Sequence, residues 1–169
     1  MRARKRFLGV LAAAVVALSG LAVTVSAQPA AASCNLITVG HPDSLTIGGR
    51  TAATLKQVYC AATRTTYAQL DIDQTWYNAG HRGWNVVLYI VMACDDCHYS
   101  VASNTWTNSS LTQFIGAHQA IDDSYVLPSK PWEAYADFTY NGCTRELRTD
   151  VHDYHDGSNS GSVLSVVPC

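Results

Sequence analysis

The chain has 169 residues, 48% of them hydrophobic and 14% charged, with a formal net charge of −2 at pH 7. Four of its 11 Lys and Arg precede Val25 and all 13 acidic residues follow it, so the part beyond Val25 carries seven basic against 13 acidic groups, a net −6. An acidic surface repels nucleic-acid phosphate and anionic lipid, which argues against both as main partners. The chain past that point is long enough to close one hydrophobic core.

At the start, Arg2, Arg4, Lys5 and Arg6 precede an apolar run from Phe7 to Val25. Small residues follow at Val25-Ser26-Ala27 and Ala30-Ala31-Ala32. A positive start, an apolar middle and A-x-A-like sites read as a secretory signal peptide over residues 1–32, with cleavage expected between 27 and 33. At about 19 residues the run is long enough to span a bilayer, but Ser19, Gly20 and the small-residue sites favour removal. The leader, rich in Arg, Ala and Val, resembles bacterial export signals in composition. Ala31-Ala32-Ser33-Cys34 is a poor lipidation site, because Ala31 stands where Leu is expected. Residues 33–169 are therefore expected to be a single secreted, extracellular β domain.

Thr54 to Ala61 reads as a strand. Ala68, Leu70, Ile72 and Trp76 alternate with Gln69, Asp71, Asp73 and Thr75, the period of a half-buried strand. Asp71 and Asp73 share its polar face, an ordinary spacing on an exposed strand. Residues 78–83 are expected to turn a hairpin into Trp84 to Ala93. That stretch is continuously apolar and β-branched, so it predicts a central strand buried on both faces. Tyr99 to Thr107 is a further strand. Ser110-Leu111-Thr112-Gln113 has capping-box spacing, and Leu111, Phe114, Ile115 and His118 recur at helical intervals, so one short helix is predicted, ending near Asp122-Asp123. His118 and Asp122 would share its face as a surface pair. Leu127 to Pro131 is a surface connection. Ala134, Ala136, Phe138 and Tyr140 lead into Asn141-Gly142, a type I′ turn signal, and Cys143 to Val151 returns. Gly157 to Gly161 reads as a mobile loop and Ser162 to Val167 as a last strand.

Six cysteines, at 34, 60, 94, 97, 143 and 169, all follow the leader, and export makes them disulfide partners. Six allow 15 connectivities. The simplest is sequential: Cys34–Cys60, Cys94–Cys97 and Cys143–Cys169. Cys94-Asp95-Asp96-Cys97-His98 also has the haem-attachment spacing, but it sits in a β context with no Met after it. A redox dithiol is disfavoured because two Asp raise thiol pKa. A zinc site with His152 and His155 would need reduced cysteines. No cofactor, metal or catalytic residue is assigned.

Asp150, His152, Asp153, His155 and Asp156 form the densest polar cluster, which is either a solvated strand end or an acid–base loop. It fails the EF-hand pattern. Trp76 and Trp84 fall in register with apolar neighbours and are expected in the core. Exposed aromatics anchor interfaces or stack on sugars. The candidate binding residues are Trp106, Trp132, Tyr135, His152, Tyr154 and His155.

The expected object is a mainly β protein, an antiparallel sandwich or partly open barrel stapled by disulfides. The leading functional expectation is a secreted, non-enzymatic binding module, a protein–protein adaptor or inhibitor. One alternative is a carbohydrate-binding domain. The other is a small hydrolase using residues 150–156. The expected partner is another secreted protein or an extracellular glycan.

Overall fold

In a computed structural model the described residues are 34–93, 100–103, 105–107, 112–121 and 131–161. The leader, Cys94, Cys97, Cys169, Asp122 and the strand expected over 162–167 lie outside them. The elements are β1 (Ile37–Ile47), β2 (Arg50–Cys60), β3 (Thr65–Ile72), α1 (Gln74–Asn78), β4 (Trp84–Met92), β5 (Ser100–Ala102), β6 (Trp106–Thr107), β7 (Gln113–Ala120), β8 (Pro131–Tyr140), β9 (Cys143–Arg148), β10 (Val151–Asp153) and β11 (Asn159–Ser160). They form two antiparallel sheets. One runs β1-β2-β3-β7; the other runs β11-β10-β8-β4-β5, with β6 also on β4 and β9 also on β8. The expected sandwich is present, and the described residues form no closed barrel.

Period-two burial brings the sheets together. Leu55, Leu70 and Phe114 stand opposite one another across β2, β3 and β7 and face inward. Val86, Leu88 and Ile90 of β4 and Ala134, Ala136 and Phe138 of β8 meet them, all at 0% exposure. Full burial of each large apolar side chain contributes about 1.5–3 kcal/mol. Trp84 stacks on Phe138 at 6.0 Å and takes the edge of Phe114 at 5.7 Å.

One polar network crosses this interior. The Gln57 amide donates to the Tyr154 hydroxyl at 3.1 Å, and that hydroxyl donates to Thr66 Oγ1 at 2.8 Å. The Thr149 hydroxyl lies 3.5 Å from Gln57 Oε1 and accepts from the Ala134 N–H at 2.9 Å. Every buried polar group named here has a partner, as burial requires.

Four local expectations are corrected. The segment read as a helix near 110–122 is a strand over its described part, β7. A bulge at Ala117 opens the register between Tyr67/His118 and Ala68/Gly116. The extra residue resets the alternation, so Phe114, Ala117 and Ile121 all face the core. Of the residues whose spacing suggested a helix, Phe114 lies in this core, Ile115 packs against Val58, Cys60 and Tyr67, and His118 is exposed. The short helix is α1 instead. Asp73 Oδ1 caps it by accepting the Trp76 N–H at 2.8 Å, and Gly80 at φ +88° ends it.

Trp76 therefore belongs to α1 and not to the preceding strand. Residues 78–83 do not turn a hairpin: β3 and β4 lie in different sheets, and α1 carries the chain between them. Finally, β4 is central but buried on one face only, with Asn85, Val87, Tyr89 and Val91 half-buried on the other. The Asn141-Gly142 turn forms as expected, at φ 51° and 79°.

Cys34–Cys60 is a disulfide, with Cα atoms 5.8 Å apart. It ties the described N-terminus to the end of β2. Cys143 is also disulfide-bonded. β1 was not anticipated. It is bulged twice, between Val39 and Asp43 and between Leu45 and Thr46. These bends carry it across to the second sheet. Asp43 accepts the Arg148 N–H at 3.1 Å, the Arg145 guanidinium donates to the Thr46 carbonyl at 2.8 Å, and His41 pairs with Asp150. One edge of the sandwich is thereby closed against strand addition.

Candidate binding face

Because β4, β8 and β9 bury alternate residues, their other residues form a flat outer face in cross-strand rows. Tyr89, Tyr135 and Arg148 make one row. Val91 and Glu133 flank it on one side; Val87, Asp137 and Glu146 flank it on the other. Such neighbours are about 4.5–5.5 Å apart and interact directly.

Tyr89 and Tyr135 meet edge to face at 5.2 Å. Both phenols donate to one carboxylate: Tyr135 to Asp137 Oδ1 at 2.7 Å and Tyr89 to Asp137 Oδ2 at 3.2 Å. The Arg148 guanidinium lies over the Tyr135 ring, 4.9 Å from its centre. It stands 3.7 Å from Glu133 and 3.7 Å from Glu146.

The electrostatics follow from this packing. Burial, together with hydrogen bonds to Asp137 and Glu146, pushes the Tyr135 phenol far above its ordinary pKa. Burial and then Asp137 push Tyr89 up as well. Burial raises the Glu133 carboxyl against the opposing pull of Arg148. The phenols therefore stay protonated and act as donors, never as bases. Among the described residues of the face, three carboxylates stand against one guanidinium, a net negative balance. The face offers aromatic area, hydrogen-bond donors and negative charge, which are the materials of recognition.

The six residues expected to bind are distributed differently. Only Tyr135 lies on this face. Trp132 is 1% exposed and belongs to the core, so its placement at a surface is corrected. β8 points it inward with Ala134 and Ala136. Trp106 is also turned inward and half-buried. It pairs with Val86 and lies 5.5 Å from Phe114, over Gly116. Tyr154 is half-buried, its hydroxyl held in the interior network. Burial raises its pKa to about 12.

His152 packs edge-on against Tyr154 at 4.6 Å and meets the Asn159 amide oxygen at 2.7 Å. His155 is exposed on the turn after β10. The polar cluster 150–156 splits: Asp150 goes to His41, while Asp153 and Asp156 accept backbone N–H bonds of the turn. Among the described residues no three His, Cys, Asp or Glu converge on a metal position. His118 is exposed on β7 and not on a helix, and Asp122 lies outside the described residues. Asp71 accepts from Lys56 at 2.6 Å while Asp73 caps α1, so they do not act as a pair.

Sequence reasoning missed Tyr89, Glu133, Asp137, Glu146 and Arg148. The signal for Tyr89 was present: within the apolar run it stands one residue from Leu88 and Ile90, on the opposite pleat. Comparison with protein-family models, with curated proteins and with solved structures gives no match.

Proposed function

We propose that the protein is a secreted, non-enzymatic binding module that holds another secreted protein, as an adaptor or inhibitor, on the outer face of β4, β8 and β9. The single observation that carries this reading is the T-stacked Tyr89–Tyr135 pair on that face, locked through Asp137. Two rings held by one carboxylate lose little rotamer freedom when a partner covers them, which lowers the cost of association. The glycan alternative rested on the same class of aromatics, of which Trp106 and Trp132 turn inward and Tyr135 lies on this face. The hydrolase alternative depended on the loop 150–156, whose histidines and carboxylates point to separate partners.

The test is native mass spectrometry of the tagged protein captured from its producer's culture fluid, as wild type and as Tyr89→Ala. The expected result is a stable complex with a larger secreted chain for the wild type, reduced at least about tenfold for the variant, the range of a hot-spot aromatic. A complex that forms equally with Tyr89→Ala overturns the assignment of the face. A lone monomer from both overturns the binding reading itself.

A further inference from the structure

We infer that the outer face recognises an arginine side chain of its partner, docked on the Tyr89 ring. The inference rests on the binding reading above and specifies the chemistry that reading leaves open.

The protein's own Arg148 shows how the face accommodates a guanidinium. It stacks on Tyr135, and carboxylates flank it on both sides, each at 3.7 Å. Tyr89 lies next in the same row, directly opposite Tyr135 on the neighbouring strand. Its surroundings repeat the pattern. Glu133 lies diagonally on one side, opposite Val91, and Asp137 on the other, opposite Val87. Diagonal neighbours in a sheet are about 7–8 Å apart, within reach of a long side chain. Among the described residues no cation of this chain lies over Tyr89.

Charge complementarity selects the occupant. Among the described residues of the face, Glu133, Asp137 and Glu146 exceed Arg148 by two charges, a balance that attracts a cation and repels an anion. The ring geometry selects arginine over lysine, because a planar guanidinium stacks on an aromatic face and bonds carboxylates in its own plane. Val87 and Val91 bracket Tyr89 along β4 and provide apolar contact for the methylene stem. Asp137 already holds the Tyr89 hydroxyl, so the ring needs no reorientation.

The probe is triarginine amide, titrated into the isotope-labelled protein and followed by backbone and tyrosine side-chain NMR, with trilysine amide and triglutamate as controls. Shifts are expected to concentrate at Val87, Tyr89, Val91 and Tyr135. Trilysine should bind several-fold more weakly and triglutamate should leave the face unchanged. Tyr89→Ala should weaken triarginine binding about tenfold, while Tyr89→Phe, which keeps the ring, should retain most of it. Glu133→Gln should reduce affinity several-fold.

Shifts confined to the Asp153–Asp156 turn would overturn the inference, as would unchanged affinity in Tyr89→Ala. If the culture-fluid complex is lost in Tyr89→Ala while triarginine leaves the face unperturbed, arginine is the wrong ligand and the binding face stands. If the complex survives Tyr89→Ala, the face and the arginine assignment fall together.

Discussion

At the scale of single residues, space and hydrogen bonding decide more than residue type. Gly116 is the sharpest case. A Cβ there would lie 2.3 Å from Trp106 Cη2 and 2.7 Å from Ser103 Cβ. The indole is itself wedged against Phe114, so it cannot retreat. Gly116→Ala should therefore cost about 1–3 kcal/mol, as overpacking does, read from urea denaturation with tryptophan fluorescence. A cost within about 0.5 kcal/mol, the scale of an ordinary surface change, would mean that Trp106 is not held there. Tyr154 gives a pH signature. Its phenol ordinarily titrates near 10 and is raised to about 12 in the fold, so the folded state holds the proton more tightly. The resulting stabilisation is complete below pH 10 and is lost as pH rises through 12. Over that window the wild type should lose up to about 1.4 kcal/mol per pH unit more than Tyr154→Phe, the value of one linked proton. Parallel curves for the two proteins would place the hydroxyl in water. Neither residue advertised its role in the sequence. Trp132 and Trp106 lie among Lys, Pro, Thr and Asn, which suggested a surface, yet strand phase turns both indoles inward. Local polarity misled because a strand exposes every second residue whatever the first one does.

At the scale of elements, what was legible was period and turn chemistry, and what was hidden was register. The Asn141-Gly142 hairpin formed as expected because Asn and Gly both take positive φ angles at little cost. Gly142 sits at φ 79°, so Gly142→Val should cost at least about 1–2 kcal/mol and weaken β8–β9 pairing, which amide exchange along Cys143–Arg148 would report. The helix expected near 110–122 failed for an equally physical reason. The pattern that suggested it was Leu111, Phe114, Ile115 and His118, and on β7 Phe114 enters the main core while its neighbour Ile115 packs against a separate cluster of Val58, Cys60 and Tyr67. A single sequence cannot separate that pattern from a turn of helix. The actual helix, α1, was obscured because Trp76 continued the alternation of Ala68, Leu70 and Ile72. Asp73 reveals it only through its capping geometry, and Asp73→Ala should cost about 1 kcal/mol in thermal or urea unfolding.

At the scale of the whole molecule, two sheets close over one core, and β1 bends from the first sheet to the edge of the second. The Cys34–Cys60 link, with a sequence separation of 26, anchors that arrangement and should contribute about 3 kcal/mol in the loop-entropy view. The sandwich class was readable from turn spacing, whereas cysteine order left 15 connectivities open, of which the simplest contains this pair. The binding face was not, because it is assembled from β4, β8 and β9, and only their pairing sets Tyr89 beside Tyr135 and Arg148. Under the proposed function a partner covers this face. Hydroxyl-radical footprinting of the complex taken from culture fluid tests it most directly, with Ile37 and His155 as reference positions exposed elsewhere on the surface. If a partner covers the face, oxidation of Tyr89 and Tyr135 falls severalfold on complex formation while Ile37 and His155 oxidise as before. Unchanged oxidation of both tyrosines, with protection at Ile37 or His155 instead, would contradict it.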